Sequence, residues 1–107
     1  MTISTKLSNG TLSFTGQDGS AYGDPSVFYA SSSYRKTGGS RVSVRLEMLT
    51  KNGRFGSGDA YQSVSAGQTV ITQWGGVSKA TYAPDCKATG AMAANGAVHY
   101  TPTVHFC

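Results

Sequence analysis

Apolar and polar residues alternate most regularly from Arg41 to Leu49. There RVSVRLEML sets Val42, Val44, Leu46 and Met48 at every second position and Arg41, Ser43, Arg45 and Glu47 between them. Successive side chains of a β-strand point to opposite faces, so this spacing predicts one apolar face and one charged, solvated face. A helix would carry Val44 away from Val42 and Leu46, and Val is a poor helix former. The segment reads as a strand of an antiparallel sheet.

Shorter runs repeat the signal. Ile3, Thr5 and Leu7 alternate with Thr2, Ser4 and Lys6, and Leu12 and Phe14 share a face across Asn9-Gly10. Asn-Gly between alternating runs is a strong hairpin signal, so the first fifteen residues read as a hairpin. Gly16–Pro25 reads as a loop. Ser26–Tyr34 reads as a strand with Phe28 and Ala30 opposite Val27 and Tyr29, and Arg35–Ser40 as a turn. Asp59–Val64 and Thr69–Trp74 read as two more strands, joined by the turn Ser65–Gln68 and closed by Gly75-Gly76. Val77–Asp85 reads as a short strand or a connection, and Cys86–Ala94 is only weakly patterned.

A second Asn-Gly, at 95–96, precedes Ala97–Phe106. Strict alternation there groups Val98, Tyr100, Val104 and Phe106 against His99, Thr101, Thr103 and His105. Pro102 cannot donate to a ladder, so the strand is at an edge or bulged at that point. A two-residue turn at Asn95-Gly96 sets Cys86 opposite His105, two residues short of Cys107. One bulge near Pro102, or a slightly longer loop, brings the two cysteines together.

With no linker, repeat or charge run, residues 1–107 read as one domain. About eight short strands with Gly-rich turns predict an all-β fold, an antiparallel β-sandwich or small barrel with a C-terminal hairpin clasped by a Cys86–Cys107 disulfide. Zinc would have to recruit His99 and His105, which lie about 20 Å apart along one strand. A disulfide implies an oxidising compartment, and no membrane-length apolar run or secretory leader is seen. The expectation is a secreted, extracellular protein without membrane insertion.

Charge changes the picture in one place. Nine Lys or Arg oppose five Asp or Glu, and six of the nine fall between Arg35 and Arg54 with only Glu47 against them. This cluster reads as a wet strand face with its flanking turns; a nucleic-acid footprint is the alternative, but no stacking aromatics are interleaved with it. Asp18 and Asp24 lack the spacing of a calcium loop. Asn9-Gly10-Thr11 fits a glycosylation sequon. No nucleophile elbow, phosphate loop or neighbouring carboxylate pair is found, so neither an enzyme nor a cofactor is expected.

A binding protein is the remaining class. Gly, Ser and Tyr in the loops resemble a paratope mixture, and the turn Tyr34–Gly39 with Trp74 is the expected contact surface: Tyr34, Arg35, Lys36 and Trp74. Trp74 could equally plug the core. The strand SVRLEML, the turn SAGQTV before a strand ending in Trp74, and a cysteine at the extreme C-terminus resemble secreted β-sandwich proteins of soil actinobacteria, in particular the tendamistat-type amylase inhibitors. That family acts through a Trp-Arg-Tyr triplet at a hairpin; here Tyr34-Arg35 stand beside a turn with no adjacent Trp. Adaptor subunits of secreted antibacterial toxin particles are similar in size and class. The expected function is therefore a protein-binding adaptor, with a hydrolase inhibitor and a carbohydrate-binding module as alternatives.

Overall fold

A computed structural model describes residues 1–56 and 61–107. Among them the chain forms β1 (Thr2–Leu7), β2 (Gly10–Asp18), β3 (Val27–Lys36), β4 (Val42–Thr50), β5 (Gly53–Gly56), β6 (Gln62–Val64), β7 (Thr69–Ser78), a one-turn helix α1 (Lys79–Tyr82), β8 (Lys87–Ala94) and β9 (Ala97–His105). A 3₁₀ turn, Gly19–Tyr22, follows β2. The strands make two antiparallel sheets. One has the order β1-β2-β3-β7; the other has β5-β4-β8-β9, with β6 pairing the first half of β4. The all-β sandwich and both hairpins are as the sequence predicts, and Asn95 and Gly96 form the second turn, both at positive φ. In the first hairpin Leu7 pairs with Gly10, so Ser8 and Asn9 make the turn and Gly10 opens β2.

The inner faces meet in two clusters. Phe14 and Phe28 pack with Met48, Ala88, Val104 and Phe106, and Leu12 and Tyr34 pack with Val44, Leu46, Val64 and Met92. Phe28 stacks on Phe106 with ring centroids 4.4 Å apart. Across the sandwich Phe14 is seated on Gly90, where an added Cβ would lie 2.6 Å from the Cβ of Phe14. This explains the weak pattern of Cys86–Ala94: β8 is a central strand kept small to admit an aromatic ring from the other sheet.

The ladder between β8 and β9 shifts at the same place. Ala91 pairs with Tyr100 but Thr89 pairs with Thr103, so Gly90 faces both Thr101 and Pro102. The Thr101 hydroxyl accepts from the Gly90 N–H at 3.0 Å. This bulge overturns the strict alternation expected along β9. Val98 and Tyr100 point to solvent, whereas Val104 and Phe106 are buried; Thr101 turns inward while His105 stays exposed. The one-residue shift sets Lys87 opposite His105, and Phe106 N–H donates to the Cys86 carbonyl at 2.9 Å. Cys86 and Cys107 are thereby joined, with Cα atoms 5.5 Å apart.

Two further differences have physical causes. β5 is absent from the alternation because its four residues, GRFG, present one large apolar side chain, Phe55. Residues 57–60, which include the start of the expected strand Asp59–Val64, lie outside the described residues. The outer face of β4 is not wholly wet. Glu47 is buried, and Arg54 forks onto it at 2.7 and 3.3 Å while Arg45 approaches at 3.2 Å. The six basic residues therefore do not form one patch: two converge on Glu47, Arg35 belongs to the other sheet and Lys36 turns inward.

Gly90→Ala forces a methyl group against Phe14, and a loss of about 1–3 kcal/mol in chemical denaturation is expected. A variant within about 0.5 kcal/mol of the parent would show that the two sheets do not meet there. Thiol titration of the denatured, unreduced protein is expected to find no free thiol. Reduction is expected to lower stability by about 3 kcal/mol, the loop-closure value for a span of this length.

Candidate functional site

β3 runs two residues beyond Tyr34, where a turn was expected, and its alternation continues to the end. Phe28, Ala30, Ser32, Tyr34 and Lys36 all face the other sheet. Tyr34 is 4% exposed and Lys36 2%, which removes both from the expected contact surface. Arg35, between them, is exposed and reaches the Thr69 hydroxyl at 3.5 Å. Trp74 pairs with Ala30 and packs, half-buried, against the cluster of Phe14 and Phe28. Arg35 pairs with Thr69, five residues from Trp74, so the two side chains stand about 17 Å apart along the sheet. The four expected contact residues do not converge.

The solvent face of the four-stranded sheet offers something else. Its rows are hydroxyl-rich: Thr2 bonds Thr15 and Ser4 bonds Ser13, each at 2.8 Å, and Ser31 and Ser33 continue the rows onto β3. At one end an open groove of about 450 Å³ is bordered by Gln17, Tyr22, Tyr29, Gln73, Trp74 and Gly75. Tyr29 lies against Gly75, where a Cβ would touch its ring at 3.5 Å. Gly76, with φ of +64°, takes up the irregularity between β3 and β7 at this point. Tyr22 meets Tyr29 edge-on at 5.1 Å and donates its hydroxyl proton to Gln17 Oε1 at 3.1 Å. Trp74, paired with inward-facing Ala30, packs on the core side and borders the groove at its edge. The tyrosines are contact-surface residues by type alone, but their meeting with Gln17 and Gln73 is not legible in the sequence because a loop and three strands bring the four together.

β7 borders this groove and is also an edge of its sheet. Its ten residues, TVITQWGGVS, include no charge and no proline, and Ile71 points to solvent at 54% exposure. Among the described residues no strand pairs with its outer side. The other edges differ: β1 carries Lys6, β9 carries Pro102, and β5 and β6 are short. Charge, proline and shortness are the usual protections of an exposed edge.

Asp18 secures Tyr22. Its carboxylate accepts from Ser20 N–H at 2.9 Å and from the Ser20 hydroxyl at 2.8 Å, capping the 3₁₀ turn, and pairs with Lys79 at the start of α1. Lys79 chiefly, then Ser20, hold its pKa at about 2. The Asp24 carboxyl is also lowered, by its bonds to Ser26. Both carboxylates are engaged in turns. Among the described residues no three His, Cys, Asp or Glu side chains gather as a metal set, and no helix is long and apolar enough to cross a membrane.

No family model, curated protein or solved structure matches the chain.

A carboxyl whose folded pKa lies below its unfolded value of about 3.9 contributes stability that is complete above that value and is lost as pH falls through the folded one. Thermal unfolding of the parent is therefore expected to weaken between about pH 4 and pH 2. Asp18→Asn should unfold at a lower temperature at neutral pH and decline less across that window. Parallel curves would show that the Asp18–Lys79 pair is not coupled to folding.

Proposed function

We propose that this protein is a non-catalytic, extracellular protein-binding module, an adaptor that accepts an extended segment of its partner along β7. The observation that carries the reading is the unguarded edge of that strand. Strand addition supplies main-chain hydrogen bonds for affinity and leaves alternate side chains to find pockets. Here the adjacent groove at Tyr22, Tyr29 and Trp74 is ready to take one such side chain. The rigid rings present contact area at low entropic cost, and the Ser and Thr rows beside them supply hydrogen bonds. The disulfide suits an oxidising compartment and supports export.

A carbohydrate-binding reading has one specific observation in its favour. The tyrosine pair is flanked by the amides of Gln17 and Gln73, with no charged residue bordering the groove.

Partners are to be captured from culture medium with the tagged full chain, identified by mass spectrometry, and their affinity measured by calorimetry. Ile71→Lys places a charge on an exposed edge position and is expected to weaken binding at least tenfold without changing the thermal midpoint. Tyr22→Ala is expected to weaken it by a smaller factor. A captured hydrolase that the protein inactivates would make the module an inhibitor. Parent-like binding by both variants refutes the β7 surface. Saturable binding on a glycan array that is lost in Tyr22→Ala but kept in Ile71→Lys would establish the carbohydrate reading instead.

A further inference from the structure

We propose that the end of the sandwich opposite the disulfide is a binding pocket for a small organic anion, an oxyanion head on an apolar body. Four segments meet there: the β1–β2 turn, the end of β3, the start of β4 and the β8–β9 hairpin. They enclose about 410 Å³, within the range of small-molecule sites. Lys36, Arg41, His99 and Asn95 border the space on its polar side. Leu7, Val42 and Met92 form its apolar wall.

Lys36 is the decisive residue. As a residue it is only 2% exposed, and among the described residues its ammonium group, which keeps some contact with solvent, has neither a carboxylate partner nor a side-chain hydrogen bond. A cation held largely out of bulk water is stabilised by a counter-charge. The acids are engaged elsewhere: Glu47 holds Arg45 and Arg54, Asp18 holds Lys79, Asp24 caps Ser26, and Asp85 accepts from Lys87 N–H. Asp59 lies outside the described residues. No carboxylate borders the pocket. Arg41 adds a second cation at the mouth, and its planar fork matches a carboxylate or phosphate. An oxyanion would supply the counter-charge that Lys36 lacks, and an aliphatic body would lie along Leu7, Val42 and Met92. The pocket is lined by other residues than the β7 groove, so the two sites can be tested separately.

The test is a titration of the ¹⁵N-labelled full chain with octanoate, octyl phosphate and octanol at physiological salt, followed by amide NMR. Octanoate, octyl phosphate or both are expected to shift the amides of Lys36, Arg41, Asn95 and His99 saturably, and the two arms tell a carboxylate site from a phosphate site. Octanol, with the same apolar body and no charge, should bind at least tenfold more weakly. Lys36→Met keeps the apolar stem and removes the charge. It should weaken anion binding at least tenfold while the thermal midpoint stays level or rises, a result that a merely structural lysine would not give. Should Lys36→Met fail to fold, Arg41→Gln, at an exposed position, carries the test with an expected weakening of at least threefold. Absence of saturation by either anion, octanol binding as tight as theirs, or parent-like anion binding by the folded variants would overturn the proposal.

Discussion

The close approach of Phe14 to Gly90 is the contact on which the rest of the sandwich depends. A ring from one sheet occupies the space left by a missing side chain in the other, and nothing larger than hydrogen fits at that position. The β8–β9 ladder bulges at the same glycine, and the Thr101 hydroxyl takes up the N–H that the bulge frees. Because a strand's side chains alternate with period two, one extra residue reverses every face that follows. Val104 and Phe106 are thus delivered to the core, where Phe106 stacks on Phe28, and Cys107 is delivered to Cys86. Sheet packing, strand parity and the covalent clasp are consequences of one local irregularity.

The two sheets treat their solvent faces differently. On the five-stranded sheet, Glu47 is covered and gathers Arg45 and Arg54 around it, so opposite charges satisfy one another. On the four-stranded sheet, hydroxyl pairs replace ion pairs, and the large side chains collect at one end as a tyrosine-lined groove. Away from Lys6 and Arg35 at its other end, this face offers neutral hydrogen-bonding groups beside an unguarded strand edge, and little charge must be desolvated when a partner arrives there. The same edge is a hazard for self-association, which a protein without a use for it would be expected to blunt.

The end pocket shows a different compromise. A domain of this size has little net stability, and two cations at one end with no carboxylate beside them work against it. The disulfide at the other end of the sandwich offsets such a cost by restricting the unfolded chain. A clasp at one end and a cationic pocket at the other are consistent with a scaffold whose stability is concentrated away from the residues that meet a ligand.

The sequence by itself determined the class of fold, the two hairpins with the second turning at Asn95-Gly96, the inward row Val44, Leu46 and Met48, and the disulfide. These follow from period-two alternation and turn chemistry, which are local and therefore legible in one dimension. It did not determine where a strand stops: β3 continues two residues past its apolar pattern, which carries Lys36 from a turn into the interior, while Tyr34 shares the inward face of Phe28 and Ala30 and is covered by the other sheet. Nor did it show the parity reversal along β9, since which residue opposes Gly90 is set by Phe14, far away in the chain. Burial of Glu47 needed Arg54 from a neighbouring strand, and β7 became an edge only through sheet order. The groove and the end pocket were decided by tertiary structure, because each is assembled from segments that only strand pairing and sheet packing bring side by side.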